Sequence, residues 1–490
     1  MTTASNDQDF PPKGLNPESV WKHFAALCRI PRPSKHEERV RDYLVQWATG
    51  QGLESIIDRG GNLIIRKPAS PGRENASGVI LQAHLDMVCQ KNDGVIHDFH
   101  NDPIHPVIRD NLVLAENTTL GADDGIGVAL ALAALEDNTL VHGPLEALLT
   151  VDEEEGMGGA NKLETGVLRG NILLNLDSET WGDFCLGCAG GMDISVSRPG
   201  HSEPIPSDWQ TVCIRVSGLR GGHSGINIHE GRGNAIKILV RILNALQSSL
   251  SLRLASLTGG TARNALPREA SAVIAIRPDD MDTLTERLGQ LQAIIRHELA
   301  GVDEKVRIDC EPATAVNIMS IADQHLWLRT LHAAPHGIWR MSPSVPGAPE
   351  TSNNLGTVNL QPDNGACTLM ARSTIDSACN ALADEITSLF MLSGIPVVKE
   401  NAYPGWAPDT TSPLLTTCRN VYRQTFGQEP ATHIIHAGLE CGILKSKYPV
   451  LDTISFGPTI HSPHAPGESV EIDTVEKAWR FLKALLATID

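Results

Sequence analysis

The sequence lacks any run approaching the roughly 20 uninterrupted apolar residues of a membrane span, so no transmembrane helix is predicted. Its opening, MTTASNDQDFPPKG, has neither the basic nor the apolar region of a secretory signal, and the expected compartment is the cytoplasm. Basic residues are in deficit: 40 Lys and Arg stand against 58 Asp and Glu, a formal net charge of −18. That balance argues against nucleic acid or an anionic membrane surface as partner, and for small substrates or divalent cations. Ten cysteines in 490 residues are too sparse for a disulfide scaffold and read mostly as small, reduced core residues. One pair, Cys185 and Cys188 in CLGC, has the spacing of half a zinc ribbon or of a redox motif, but no second pair accompanies it. No internal repeat or low-complexity segment is present. What is there, 41% hydrophobic and 20% charged residues, describes a globular chain long enough for two or three domains, and excludes disorder and fibre.

From Pro17 to about Gly52, Val20, Phe24, Leu27 and Cys28, then Val40, Tyr43, Leu44 and Trp47, recur at helical spacing and predict two amphipathic helices. Between them lies IPRPS, in which Ser34 is placed to cap the second helix, with Glu37 as the other half of a capping box. NLIIRK at 62–67 and GVILQAHLDMV at 78–88 read as strands, the second apolar enough to be buried on both faces. A helix beginning near Gly125 and further strands at 145–151 and 171–177 complete a strand, helix, strand order that predicts an α/β sheet covered on both faces. Residues from there to about Ser207 read as polar and irregular. Two strand and helix pairs follow, at TVCIRVSGL with NAIKILVRILNALQ and at SAVIAIRP with LTERLGQLQAIIRHELAG, and predict a separate α+β unit. The expected division is residues 1–186 with 400–490 as one domain and 187–399 as an inserted second. The last ninety or so residues, with a helix near 412–425 and a strand at TISFG, most simply return to the first sheet.

Chemistry-bearing residues gather at predicted strand ends. His84 and Asp86 close VILQAHLD, where ligands collect in open α/β sheets, although a polar strand end would look the same. Asp123 and Asp124 in GADDGIG precede a helix and are equally readable as an N-cap pair. Four acids, Asp152 to Glu155, follow LEALLTV, and Asp177 follows NILLNL. His461 and His464 lie in a Pro- and Gly-rich loop after TISFG. Several apolar strands each delivering an acid or imidazole to one sheet edge would repel without a cation. Two His and three carboxylates suit two zinc ions about 3.5 Å apart that share one carboxylate and a water, a hydrolytic arrangement.

These motifs, LQAHLDMV, TLGADDGIG, EEEGM, NLDSE, GCAGGMD, LRGGHSG, GGTARNALPRE, ETSNNLG, HAGLECG and GPTIHSPHAPGE, resemble in their order those of the M20 metallopeptidases, and within them the bacterial aminoacyl-histidine dipeptidases, from about Val20 to the end of the chain. The resemblance implies a zinc-peptidase catalytic domain with a mixed sheet flanked by helices, and an inserted α+β lid and dimerisation domain. It makes Asp123 the carboxylate shared by two Zn2+ per subunit, with His84 and Asp177 completing one ion and Glu154 and His464 the other; Mn2+ or Co2+ are substitutes. It makes Glu153 the general base and Asp86 the partner of the His84 ring. His223 matches a lid histidine that stabilises the tetrahedral oxyanion, often from the other subunit of a homodimer. Asn264, Arg372 and Gly438 match substrate-contacting positions. Three positions depart from the pattern: Asp124 where close relatives carry Asn, Cys89 where they carry Pro, and His461 where they carry a residue that does not ligate. The family usually has a cis peptide bond after the bridging acid, here between Asp123 and Asp124.

The expected activity is hydrolysis of unblocked dipeptides, including Xaa-His and β-alanyl-His. Removal of an acyl group from an amino acid, or trimming of a tripeptide, would use the same metal site. A non-catalytic peptide- or metal-binding protein would have lost the base or a ligand, and all are present.

Overall fold

The computed structural model describes residues 10–490. Two compact units are seen, one comprising the chain to Gly187, Pro408–Ile434 and Leu439–Asp490, the other Cys188–Ala407 and Ile435–Gly438. Among the described residues no helix is long and apolar enough to cross a membrane.

The first unit opens on α1 (Glu18–Cys28) and α2 (Glu38–Gly50). Val20, Phe24, Leu27 and Cys28 of α1 are all buried, as a stripe at this spacing requires. Its main sheet has eight strands: β1 (Glu54–Ile57), β2 (Leu63–Lys67), β3 (Val79–His84), β4 (Leu145–Thr150), β5 (Ile172–Asn175), β6 (Asp183–Cys188), β7 (Ala431–Ile435) and β8 (Asp452–Ser455), in the order β1-β2-β4-β3-β5-β8-β6-β7. The four central strands, β4, β3, β5 and β8, are parallel; β1 and β2 are antiparallel additions on one side, and β6 runs against β8 on the other. Both faces of β3 and β4 are buried, which explains their unbroken apolar runs. One crossover helix, α3 (Ala122–Glu136), is buried all round from Ala122 to Leu135 and so carries Ala, Leu, Val and Ile with no polar face.

Register makes the site. His84 pairs with Thr150 and Gln82 with Asn175, so the segments following β3, β4 and β5 leave the sheet at one edge, its carboxyl edge. The chain after β8 leaves at that edge too and forms, with Ile460–His461 and Ser469–Glu471, part of a small four-stranded sheet.

The second unit is built on a nine-stranded antiparallel sheet that includes Gly190–Pro199, Gln210–Ser217, Ala270–Ile276, Pro349–Gln361 and Asn364–Ser373. Helices Ala235–Gln247, Met281–Glu298, Ile321–Ala333 and Asp376–Leu392 contribute apolar residues to its core. Asn234 caps the first of them, accepting from the N–H groups of Ile236 and Lys237.

Two sequence expectations are corrected. Residues after Asp177 are not irregular: Asp183–Cys188, Gly190–Pro199 and Ser202–Pro204 are strands, with Cys185 and Cys188 buried in the first. Glycine, serine and aspartate lower the β-propensity of this stretch, and pairing with neighbours far along the chain overrides it. The Ser34–Glu37 capping box does not form. The Ser34 hydroxyl donates to Asp86 Oδ2 (2.8 Å), and Glu37, itself the N-cap residue, accepts from the backbone N–H groups of Lys35 (2.8 Å) and Asp152 (2.9 Å). The Asp86 carboxylate and the Asp152 N–H, both remote in sequence, outcompete the local helix end for these two side chains.

Candidate metal centre

His84 is the last residue of β3 and is 1% exposed. Its backbone N–H donates to Asp124 Oδ2 (3.2 Å), and Asp124 Oδ1 accepts from the N–H of Gly127 (3.1 Å). A Cβ at Gly127 would lie 2.1 Å from that oxygen, which explains the glycine. The two acids of GADDGIG therefore divide their tasks, Asp124 satisfying backbone donors and Asp123 facing imidazoles. The peptide bond between them is cis.

Asp123 places Oδ1 3.1 Å from His84 Nε2 and Oδ2 3.1 Å from His464 Nε2. Asp177 Oδ1 is 3.6 Å from His84 Nε2, and Glu154 Oε2 is 3.1 Å from His464 Nε2. Among the described residues, His84, Asp123 and Glu154 offer ligand atoms all within 4.8 Å of one another. The backbones of Asp152 and His464 are left-handed (φ 55° and 62°), a costly conformation that turns both loops toward this edge.

Asp86, fully buried, organises the group from beneath. Its Oδ1 accepts from the N–H of Glu153 (3.1 Å) and lies 3.5 Å from His84 Nδ1, while Oδ2 accepts from the N–H of Glu154 (3.1 Å) and from Ser34. One carboxylate thus aligns an imidazole with both acids of the next strand's loop.

The electrostatics are those of concentrated negative charge. Burial, reinforced by Asp177, raises Asp124 well above the usual carboxylate range. Burial also raises Glu153 strongly, with Asp177, Glu440 and Glu154 adding and His84 opposing. Asp177 is pushed up to about 7, again chiefly by burial. Against its own burial, Asp86 is held at about 2 by His84 and the surrounding N–H donors. The hydrogen bonds to Asp123 and Glu154 lift His464 to about 11. A dication satisfies the same acids without a proton on either imidazole.

The donor chemistry fits metal ions. The set is imidazole nitrogen and carboxylate oxygen, one carboxylate addresses two imidazoles, and Glu154 Oε1 is buried with no hydrogen-bond partner among the described residues. His461 stands apart, its Nε2 2.8 Å from Glu471 Oε1. Cys89 has its thiol pushed up to about 11 by burial and donates to the Met87 carbonyl (3.6 Å), away from the imidazole and carboxylate donors named above.

In the second unit, His223 and Arg372 lie together: Arg372 Nη2 is 3.5 Å from His223 Nε2, and Nη1 donates to Tyr403 Oη (2.7 Å). Arg372 is 3% exposed and, among the described residues, its hydrogen-bond partners are the neutral groups of Tyr403, Ser224 and His223. Burial and Arg372 push His223 down to about 4, so its ring is neutral at pH 7. Gly225 packs against the carbonyl of His436, where a Cβ would sit at 1.8 Å, which brings RGGHSG against the Ile435–Gly438 segment of the same unit. Asn264 is exposed, and its carbonyl accepts from the N–H of Ser224 (2.8 Å).

Several residues around the centre escaped the sequence reading. Arg32 is buried and donates to the carbonyls of Leu85 (2.9 Å), Asp86 (2.8 Å) and Gly121. Glu440 accepts from Gln82 Nε2 (2.7 Å) and Thr150 Oγ1 (2.6 Å) under the sheet edge. Glu468 closes four backbone N–H groups at the start of α3. For Arg32 and Glu468 the available signal was a lone charged residue within a Pro- or Gly-rich loop, IPRPS or HAPGE, where a solvated surface would not require one.

The chain is 44% identical over 476 residues to the cytosol non-specific dipeptidase of Escherichia coli (strain K12), covering 97% of this chain and 98% of that protein. It is likewise 44% identical to the aminoacylhistidine dipeptidase of Vibrio alginolyticus, whose crystal structure matches with a TM-score of 0.92 over 97% of this chain and 98% of that one. A tripeptidase from Staphylococcus aureus, 15% identical, shares the fold with a TM-score of 0.56 over 97% and 99% of the two chains. Residues 214–303 match the peptidase dimerisation domain.

Proposed function

This chain belongs to the M20 metallopeptidase family, on the aminoacyl-histidine dipeptidase branch, and from that premise we propose that it is a cytosolic metal-dependent dipeptidase acting on unblocked dipeptides, including Xaa-His and β-alanyl-His. The observation that carries this reading is the carboxylate of Asp123, whose two oxygens each meet a different imidazole beside the unpartnered oxygen of Glu154. It supports two Zn2+ per subunit, with Mn2+ or Co2+ as substitutes: His84, Asp123 and Asp177 would hold one, and Asp123, Glu154 and His464 the other. When bound, the metal polarises the scissile carbonyl and acidifies the attacking water.

Glu153 is the general base. Its raised proton affinity, a product of burial among other acids, suits it to take the water's proton and return it to the departing amine. Asp86 orients His84 through Nδ1 and fixes the Glu153 and Glu154 backbone. His223, a neutral imidazole, stabilises the oxyanion, and Arg372, a buried guanidinium with no carboxylate in hydrogen-bond contact among the described residues, receives the carboxylate of the substrate. Asn264 and Gly438 contact substrate by an amide donor and by close backbone approach. The match at 214–303 supports a homodimer through the second unit.

The test is hydrolysis of Ala-His, β-Ala-His, a tripeptide and an N-acetyl amino acid, before and after chelation and zinc return, alongside sedimentation for the dimer. Zinc-restored cleavage confined to the dipeptides is expected. Cleavage of the acylated compound or the tripeptide instead would move the activity to another branch of the family, and metal-bound protein inert on all four would sink the catalytic reading.

A further inference from the structure

Glu468 stands four residues beyond His464, and its carboxylate is spent on the backbone at the start of α3. Oε2 accepts from the N–H groups of Leu120 (2.7 Å) and Gly121 (3.0 Å), and Oε1 from those of Ala122 (2.7 Å) and Asp123 (3.2 Å). The residue is 2% exposed and has no ion-pair partner among the described residues. A buried carboxylate without a cation is expensive, and four N–H donors at a helix start are the compensation that makes it tolerable. Ser, Asp or Asn from the adjoining turn would suffice to cap a helix. Here the cap comes instead from the loop that carries His464.

That loop is itself fixed. The Glu468 N–H donates to the Ala465 carbonyl (3.1 Å), its carbonyl accepts from the N–H of Ala115 (3.3 Å), and the Gly467 N–H donates to the Thr118 carbonyl (3.1 Å). On the other side of the same turn, the Gly121 carbonyl takes the Arg32 guanidinium, which also binds the carbonyls of Leu85 and Asp86. Gly121 is left-handed (φ 69°), and a Cβ there would lie 2.5 Å from the Arg32 guanidinium, so any larger residue would displace that contact. Three separate segments, those of His84, Asp123 and His464, are therefore joined by two charged side chains that are not ligands.

We propose that Glu468 is a positioning residue of the metal centre: by binding the backbone N–H of Asp123 and its three predecessors from the His464 loop, it sets the spacing of the two imidazoles about the Asp123 carboxylate. Arg32 sets the same turn against the His84 segment. The inference rests on the metal centre proposed above. In Glu468→Gln the amide nitrogen faces two N–H donors, so one pair of the four bonds becomes a repulsion while size and fold are kept.

The test compares wild-type and E468Q protein in metal affinity, measured by Co2+ titration against a chelator with the Co2+ absorption spectrum recorded, and in steady-state turnover of a dipeptide. Expected are a Co2+ affinity weakened roughly 10- to 100-fold, a changed spectrum, and a kcat lowered over a similar range with KM within about threefold. A lowered melting temperature with unchanged affinity, spectrum and kcat would reduce Glu468 to a helix cap and overturn the proposal. Should E468Q not fold, Glu468→Asp, which keeps the charge but draws it back by one methylene, is read by the same three measurements. If wild-type protein binds Co2+ but cleaves no dipeptide, the dipeptidase reading fails and the affinity and spectrum alone decide the role of Glu468.

Discussion

Replacing Asp86 by Asn changes one oxygen to an NH2 group and leaves shape nearly constant, so its cost can be worked from four contacts. With the amide oxygen in the Oδ2 position, the bonds from Ser34 and Glu154 N–H survive, and the NH2 faces the Glu153 N–H and His84 Nδ1. That nitrogen can accept a proton donor only in the tautomer that places hydrogen on Nε2, the atom turned toward Asp123 and proposed to bind metal. With the amide reversed, Glu154 N–H loses its acceptor and the Ser34 hydroxyl must turn. Either way one buried N–H of the Glu153–Glu154 loop is orphaned, at a cost of about 1–3 kcal/mol. A cost of about 2 kcal/mol, realised wholly in the placement of the base or a ligand, corresponds to roughly 30-fold in affinity or rate. D86N should therefore bind Co2+ or Zn2+ about 10- to 100-fold more weakly and lose kcat over a similar range, with KM little changed. Competition with a chelator gives the first quantity, steady-state hydrolysis of Ala-His the second. Wild-type affinity and turnover in a folded D86N protein would refute the reasoning, because they would show that the carboxylate aligns nothing that catalysis uses.

Glu153→Gln should keep metal binding nearly intact while lowering kcat by about 100-fold or more, in line with general-base contributions; metal analysis of the purified variant with its turnover checks both halves. His436, 4% exposed with Nε2 2.7 Å from Ser352 Oγ, is pushed by burial, and by Arg372 and His223, down to about 3. Since the unfolded chain takes up this proton near pH 6.5 and the native chain does not, the group's contribution is complete above that pH. It is lost as pH falls toward 3, at roughly 1 kcal/mol per pH unit. Urea unfolding between pH 6.5 and 4 should show a shallower decline in H436Q than in wild type, and an identical slope would mean the native imidazole charges freely. Leu81→Ala, in the fully buried centre of β3, should cost about 2–5 kcal/mol by the same unfolding assay, with a smaller loss if the sheet can close the cavity.

Much of the site was legible in the sequence because its residue types are tied to local pattern. Unbroken apolar runs marked β3, β4 and β5, and each ends beside His84, Asp152–Glu155 or Asp177, so the acids could be placed at strand ends without coordinates. The helical spacing of α1 was equally plain. Ser34 and Glu37 show where such reading stops: their spacing is that of a capping box, yet Asp86 and the Asp152 N–H, remote in sequence, outcompete the local helix end. Strands Asp183–Cys188 and Gly190–Pro199 were hidden because their stability comes from partners such as Ser455 and Asn364–Ser373, not from their own propensity. By itself, then, the sequence determined the α/β class, the apolar strands and the chemical identity of the acids and imidazoles at their ends, since periodicity and residue type are local properties. Only the tertiary structure decided which oxygen of Asp123 meets which imidazole, that Asp124 turns to the backbone, and that Arg32 and Glu468 hold the turn between them, because hydrogen bonds across tens to hundreds of residues depend on strand register and loop closure, which no local pattern records.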